Sequence, residues 1–153
     1  MEMRKDLMEY VENHEGIQVI RGGGADNRSW NGIRYKTGLS GKNVGSKNLS
    51  MNLATVPPGA IAYAHIHDGF EVMLFLLQGK VRHDFGPDLK FSVENEAGDF
   101  IYIEPGVPHE VFNIGDGPLI AVVARSAADE WDKIVDYPSK YRPSAAASDE
   151  KTT

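Results

Sequence analysis

From residue 48 onward, the chain consists of short segments in which apolar and polar residues alternate, separated by glycine and proline. Residues 48–53 show this pattern, and Ile61–His67 repeats it after a Pro-Pro-Gly turn. A period of two residues is typical of a half-buried β-strand. Closely spaced short strands with Gly/Pro turns favour a sandwich or barrel. The sequence therefore predicts an all-β fold.

Later segments extend this pattern as far as Arg125. The predicted strands are Glu71–Gln78, Val81–Phe85, Phe91–Val93, Phe100–Ile103, His109–Ile114 and Leu119–Arg125. Glu71–Gln78 is apolar on both faces, whereas a single barrel has only one inner face. A terminal helix or a second subunit must cover the outer face.

The two ends of the chain differ from this β-region. Residues 1–12 carry apolar side chains at helical spacing, and Ala127–Tyr137 has a similar pattern, so we predict one short helix at each end, with Gly16 after the first. Residues 138–153 contain too few apolar side chains to pack and are predicted to be a disordered tail. We expect one domain over 1–137, with its barrel at about 48–125.

Residues 21–47 are basic and rich in glycine. They hold seven of the sixteen glycines and six basic residues, with Asp26 as the only acid. Neither the phosphate-loop nor the dinucleotide-binding glycine pattern is present. The segment is expected to be a solvated loop with short strands; the alternative is a basic rim that attracts an anionic substrate.

The composition limits the possible chemistry. The chain of 153 residues has no cysteine and a formal charge of −6. Any metal must therefore be bound by imidazole or oxygen ligands, and disulfides and thiolate catalysis are excluded. The acidic balance argues against nucleic-acid binding. The longest apolar runs have six residues, too few to span a membrane, and no signal segment is apparent, so we expect a cytoplasmic protein.

Three histidines are spaced in a way that suggests a metal site. His65 and His67 lie two apart in a strand, so both imidazoles leave the same face. Glu71 follows across a glycine-containing turn, and His109 comes directly after a tight turn. Imidazole and carboxylate ligands suit a divalent first-row metal with open coordination positions.

These residues resemble the two sequence motifs of the cupin superfamily. The first motif is carried by Gly59, His65, His67, Glu71 and Gly79, and the second by Gly98, Gly106, His109 and Asn113. The resemblance implies a single jelly-roll barrel, the double-stranded β-helix. Because proteins of this family commonly dimerise through the outer face of the barrel, it also implies a homodimer. It also implies one divalent transition metal per subunit, bound by His65, His67, Glu71 and His109. Iron is expected first, with manganese, nickel, zinc or copper as alternatives.

The chain departs from the motifs at two positions. Seven residues instead of six separate Glu71 from Gly79, and a shift of one residue in a strand turns a side chain to the other face. A bulge near Gly69 would restore its direction. Otherwise Glu71 is a rim carboxylate, and the site has three histidines. Glu104 stands where the second motif usually has proline and is expected to face solvent.

The resemblance implies a non-haem iron oxygenase that acts on a small enolisable or acidic molecule. The alternatives are a redox-neutral isomerase, lyase or decarboxylase, and a ligand-binding protein without enzymatic activity. Tyr63 is expected to share a face with His65 and His67, either as a cavity acid/base or as a packing residue. His83 shares parity with Val81 and Phe85, but is expected not to be a ligand.

Overall fold

The computed structural model describes residues 2–30, 33–129 and 131–143. Its helical elements are α1 (Lys5–Met8) and two 3₁₀ turns (Arg21–Gly23 and Pro87–Leu89). The strands are β1 (Val11–His14), β2 (Ile17–Ile20), β3 (Asp26–Trp30), β4 (Ile33–Leu39), β5 (Ser50–Val56), β6 (Ile61–His67), β7 (Val72–Gln78), β8 (Lys80–Phe85), β9 (Phe91–Glu96), β10 (Phe100–Ile103), β11 (His109–Asn113), β12 (Leu119–Arg125) and β13 (Ile134–Asp136).

Two antiparallel sheets form the body of the structure. One has the order β10-β7-β12-β5-β4-β3, and the other has the order β13-β6-β11-β8-β9. Strands β1 and β2 form a separate hairpin. The predicted all-β architecture is confirmed, because nearly all regular structure in the described residues is strand.

Alternate residues of the strands fill the space between the sheets. On β12, the buried positions are Leu119, Ala121, Val123 and Arg125, and the residues between them are only partly buried. On β7, Val72 and Leu76 are almost completely buried. Each fully buried aliphatic side chain of this size contributes roughly 1.5–3 kcal/mol of hydrophobic stabilisation. The period of two read from the sequence is therefore the period of burial.

The N-terminal helix is shorter than predicted. Helix α1 covers only Lys5–Met8, and Val11–His14 and Ile17–Ile20 pair as a hairpin. Its turn contains Glu15 and Gly16, both with positive φ. This is a conformation that glycine adopts readily and that suits a two-residue hairpin turn. Gly16 therefore forms part of a hairpin turn rather than ending a helix.

The predicted C-terminal helix is wrong. Residues 127–129 and 131–133 form bends and turns, and Ile134–Asp136 forms β13. This strand pairs with the free edge of β6, with Ile134 opposite His67 and Asp136 opposite His65. A β-branched pair beside an open sheet edge gains ladder hydrogen bonds that a short helix would not. Of the predicted tail 138–153, residues 138–143 are described, and Ser139 and Arg142 donate hydrogen bonds to the barrel. Residues 144–153 lie outside the described part of the chain.

The basic segment 21–47 contributes two strands to the six-stranded sheet. Strand β4 is buried at alternate positions, as a core strand is, and β3 pairs with it at the sheet edge. This edge is opposite to β10 in the strand order. The expected short strands are present, but β4 is part of the core rather than solvated, because Ile33 and Tyr35 are core residues. In the described part of the chain, no helix has the length and hydropathy needed to cross a membrane.

Candidate metal centre

A bulge in β6 sets the direction of the first two histidines. His65 lies opposite His109 of β11, but Ala62 lies opposite Val111, so β6 has one residue more than β11 between these pairs. An extra residue of this kind turns the strand and re-aims its side chains. As a result, Ala62, His65 and His67 all line the barrel interior.

A buried carboxylate holds the bulge in place. Oε2 of Glu110, a residue that is 1% exposed, accepts a hydrogen bond of 2.9 Å from the backbone N–H of Ala64. It also accepts one from the hydroxyl of Ser139. Arg142 and Tyr137 donate to the carbonyl of Ala64 from the same C-terminal segment. The backbone groups that the bulge frees are thus satisfied, as burial requires.

The three motif histidines meet inside the barrel. Their ring centroids lie 4.4 Å apart for His65 and His109, 4.6 Å for His67 and His109, and 5.1 Å for His65 and His67. One nitrogen from each ring lies within 4.8 Å of the other two, and all three residues are buried. Three imidazoles this close together form a possible binding site for a single metal ion.

Hydrogen bonds fix the tautomer of two of these rings. Nδ1 of His65 lies 2.8 Å from the carbonyl oxygen of Tyr63, and Nδ1 of His109 lies 2.9 Å from that of Val107. A carbonyl oxygen only accepts hydrogen bonds, so Nδ1 carries the proton in both rings, and Nε2 keeps its lone pair. This arrangement orients metal-binding histidines in proteins. The donor set therefore fits a divalent transition metal.

Burial keeps the imidazoles neutral. It lowers the pKa of His65 well below the ordinary value of 6.5, with the neighbouring His109 and His67 as further causes. The pKa of His67 falls to about 2, through burial first and then the charges of His109 and Arg125. Burial also lowers the pKa of His109. Metal binding requires neutral imidazole, so these groups are ready to bind over the whole neutral range.

Glu71 does not join this group. It precedes Val72, which is almost completely buried, and its own side chain is exposed on the opposite face. The Tyr102 hydroxyl donates a hydrogen bond of 2.7 Å to Glu71 Oε1 there. The register shift of β7 lies at its far end, between Leu76 and Gln78. It leaves Val72 facing the inner cavity and Glu71 turned outward. The structure therefore brings together the three histidines of the expected four-ligand set and leaves Glu71 apart from them.

Tyr63 also lies elsewhere. It does not line the cavity around the histidines, because the bulge breaks its parity with His65. The guanidinium of Arg142 lies 5.9 Å from the centre of its ring. The structure therefore corrects the expectation of a cavity acid or base at Tyr63.

Two further polar side chains line the cavity with the histidines. His83 faces it from β8 and Arg125 from β12, amid mostly aliphatic side chains. Arg125 donates a hydrogen bond of 3.0 Å to Asn52 Oδ1. Its parity with the apolar inward residues of β12 was the sequence signal for its position. Glu104 is exposed, as expected, at the edge of an adjoining cavity.

Two other motif residues shape turns. Gly79 has a φ of +96°, and a Cβ atom there would lie 2.8 Å from the carbonyl oxygen of Pro118. No other residue type fits this close approach. The Asn113 side-chain amide donates to the carbonyl oxygens of Val56 and Gly117, at 2.8 and 2.9 Å. These residues position the strands rather than contact a ligand.

Comparison with known proteins identifies a cupin domain over residues 52–125. Oxalate decarboxylase OxdC of Bacillus subtilis is 36% identical over 77 residues, which are 49% of this chain and 20% of that protein. The chain spans about half or less of the length of the curated relatives it matches. A solved structure of OxdC, in a study of its Mn(II) centres, aligns with a TM-score of 0.54 at 26% identity, covering 63% of this chain and 26% of OxdC.

Two more distant structures share the fold. A structure described as a predicted oxalate decarboxylase of Thermotoga maritima aligns with a TM-score of 0.55 at 21% identity. It covers 62% of this chain and 80% of that one. An oxalate oxidase in complex with glycolate aligns with a TM-score of 0.59 at 23% identity, over 71% of this chain and 56% of its own. At these identities the likeness concerns the fold alone.

Proposed function

Residues 52–125 place the chain in the cupin superfamily, and we propose that it is a metal-dependent enzyme acting on a small acidic or enolisable organic molecule. The observation that carries the proposal is the buried group of three neutral imidazoles, His65, His67 and His109. We propose that they hold one divalent transition metal per subunit. Glu71 is left out because its carboxylate is engaged with Tyr102 on the outer face.

A divalent metal in this site would supply Lewis acidity toward an oxygen-rich ligand and, if it is redox-active, reactivity with O₂. The chain itself supplies a dry environment. Val72, Ile103 and Val123 are buried beside the histidines and exclude water from the inner cavity. The Arg125 guanidinium lines the same cavity and favours an anionic ligand. Both features support a small organic acid as the substrate.

The first candidate function is a non-haem iron oxygenase. Three histidines without a carboxylate leave several coordination positions for a chelating substrate and O₂. We expect protein reconstituted with Fe(II) to consume O₂ when supplied with 2-oxo or 2-hydroxy acids, and protein with zinc to consume none. The measurement is O₂ uptake across a panel of acids that includes oxalate and glycolate. Iron-loaded protein that is inert toward O₂ with every acid would remove this candidate.

The second candidate is a redox-neutral decarboxylase containing manganese. It is supported by the 36% identity to oxalate decarboxylase OxdC and by the Mn(II) centres named for that protein. Carbon dioxide release from oxalate by the manganese-loaded protein would support it, whereas the absence of carbon dioxide release would count against it.

A cupin that binds a ligand without transforming it is the third possibility. It predicts that His109→Ala changes ligand binding and abolishes no reaction.

The cytoplasmic location stays a prediction.

We propose that the protein is a homodimer that buries the outer face of the six-stranded sheet. Two rows of apolar side chains cross β10, β7, β12 and β5 there. The rows are Phe100, Phe75, Val122 and Leu53, and Tyr102, Met73, Ala124 and Met51. Phe100 is 81% exposed and Met73 is 57% exposed. A continuous apolar surface of this kind favours a protein partner, and a second copy of the chain can present the same surface.

Phe100→Glu is expected to convert the dimer into a monomer, because a charge within an apolar interface would be buried without a partner. Sedimentation equilibrium should then give 16.8 kDa in place of twice this mass. Ile17→Glu is the matched control, since Ile17 is a similarly exposed apolar residue on the separate hairpin. A wild-type mass of one chain, or a dimer that persists in Phe100→Glu, would contradict the proposed interface.

A further inference from the structure

A second cavity adjoins the histidine group and opens between the edge strands β9 and β10. It is lined mainly by Phe85, Val93, Ile101, Ile103 and Val107, with His83 and His109 also in its wall. Its cavity volume is about 170 Å³. We call it the β9–β10 slot.

Apolar side chains at an opening to solvent need a reason. Val93 is 42% exposed, and Phe85, Ile101 and Val107 are only partly buried. The slot belongs to the wall of the barrel, where β9 and β10 each end a sheet. His109 lines both the slot and the inner cavity, so the slot leads directly to the histidine group. An apolar passage that ends at polar groups suits a ligand with an apolar body and a polar head.

His83 gives an independent indication of such a ligand. Its side chain is 3% exposed, and neither ring nitrogen has a hydrogen-bond partner among the described residues. It lies opposite Val93 of β9 and Val111 of β11, and it lines both cavities. A buried imidazole without partners costs free energy unless a ligand or water completes it.

His83 is set apart from the three motif histidines. Its ring centroid lies 6.4 Å from that of His109, whereas centroids within the group are 4.4–5.1 Å apart. The group of mutually close metal-binding atoms contains His65, His67 and His109 without His83. His83 is therefore placed beside the metal site, where it can reach a molecule bound there.

We propose that the β9–β10 slot binds the apolar side chain of a 2-hydroxy or 2-oxo acid whose head group reaches the three histidines, and that His83 donates a hydrogen bond to that head group. This inference rests on the proposed function and narrows its substrate class. It differs from what the relatives' names suggest, since oxalate has no apolar part. Phe85, Val93 and Ile101 are then specificity-determining residues, and His83 is a substrate-binding residue.

The test compares glycolate with mandelate, which share a 2-hydroxycarboxylate head and differ by a phenyl group. Calorimetric titration of Mn(II)-loaded protein without O₂ should show mandelate binding at least about tenfold more tightly than glycolate. The reason is that the phenyl group of mandelate is transferred from water into the apolar slot. Equal affinities, tighter binding of glycolate, or no binding of either acid would overturn the inference.

Two variants test the walls of the slot. Val93→Asn should lower the preference for mandelate at least about threefold, because it places an amide against the phenyl group. Val135→Asn is the matched control, since Val135 is similarly exposed on β13, the opposite edge of the same sheet, and does not line the slot. If both variants changed the preference for mandelate over glycolate, or if neither did, the result would contradict the assignment of the slot.

His83→Leu should weaken glycolate binding about tenfold, the usual loss for one hydrogen bond to a charged group, with one Mn(II) per chain retained. His83→Gln should restore part of this loss, because its amide also donates. If His83→Leu binds glycolate as the wild type does, or loses its metal, the proposed role is wrong. Metal analysis separates failure of the proposed function from failure of this inference. Wild-type protein that never retains a metal contradicts the proposed function. Metal-loaded protein that does not prefer mandelate to glycolate contradicts only this inference.

Discussion

Replacing His109 with alanine is expected to lower the affinity for Mn(II) or Fe(II) by at least about a hundredfold and to abolish turnover. The substitution removes one of three neutral nitrogen ligands from a site in which the described chain offers no replacement carboxylate. His109 also lies at the centre of the group, closer to His65 and to His67 than these two are to each other. Loss of a direct ligand costs more than the 10–100-fold typical of a supporting hydrogen bond.

The matched control is Glu71→Gln. The Glu71 carboxylate accepts a hydrogen bond from Tyr102 on the exposed face, so this variant should retain metal affinity within about twofold. Metal content by plasma mass spectrometry and titration calorimetry measure both effects, and circular dichroism verifies that the variants fold. If Glu71→Gln lost its metal as His109→Ala does, the four-ligand set implied by the sequence motif would be restored.

The metal-free protein is expected to lose most of its stability between pH 6.5 and pH 5. Burial is the main cause that lowers the pKa of His65, His67, His83 and His109, to about 2 for His67 and about 3 for His83. The unfolded chain binds these protons near the ordinary value of 6.5. Stability is therefore complete above pH 6.5 and falls as the pH decreases, because only the unfolded chain binds the protons.

The expected size of this effect follows from linkage. Each such histidine contributes up to about 1.4 kcal/mol per pH unit, so four together give a limiting slope of about 5 kcal/mol per unit. The total stability of a domain is typically only about 5–15 kcal/mol. Thermal unfolding of chelator-treated protein at intervals of half a pH unit measures the slope. A midpoint that stays constant from pH 7.5 to pH 5 would be incompatible with four buried neutral histidines.

One variant refines this experiment. His83→Leu should reduce the slope by about a quarter, because one of the four depressed groups is removed. Metal-loaded protein should be more stable than metal-free protein at pH 7, since a ligand that binds only the folded state stabilises it.

Local sequence patterns predicted the strands and the three histidines well. His65 and His67 lie on one strand, and His109 begins another. The side-chain directions on these two strands were therefore enough to predict that the three imidazoles lie close together. Arg125 shares the parity of the inward residues of β12, a signal that was present in the sequence but was not used for a prediction. These features depend on the period of two and on nearby turn residues, which are visible within a few positions of the chain.

Features that depend on distant parts of the chain were not predicted. The bulge that turns Tyr63 away from the cavity is held by Glu110, 46 residues away, and by Ser139 and Arg142. The C-terminal segment became β13 because the edge of β6 was open to it. Glu71 faces outward beside the buried Val72, an alternative that the one-residue shift had left open. For the bulge and for β13, the deciding partner is remote in sequence.

The sequence by itself determined the all-β architecture, the absence of thiolate ligands and the three imidazoles of the candidate site. Strand parity and turn chemistry are local, because each depends only on residues that are close together in the sequence. The tertiary structure alone decided that Glu71 lies apart from the three histidines and that a slot opens between β9 and β10. It also placed His83 beside the three histidines, buried and without a hydrogen-bond partner among the described residues. Burial and cavity shape arise only when two sheets pack together, and no local pattern encodes the space between them.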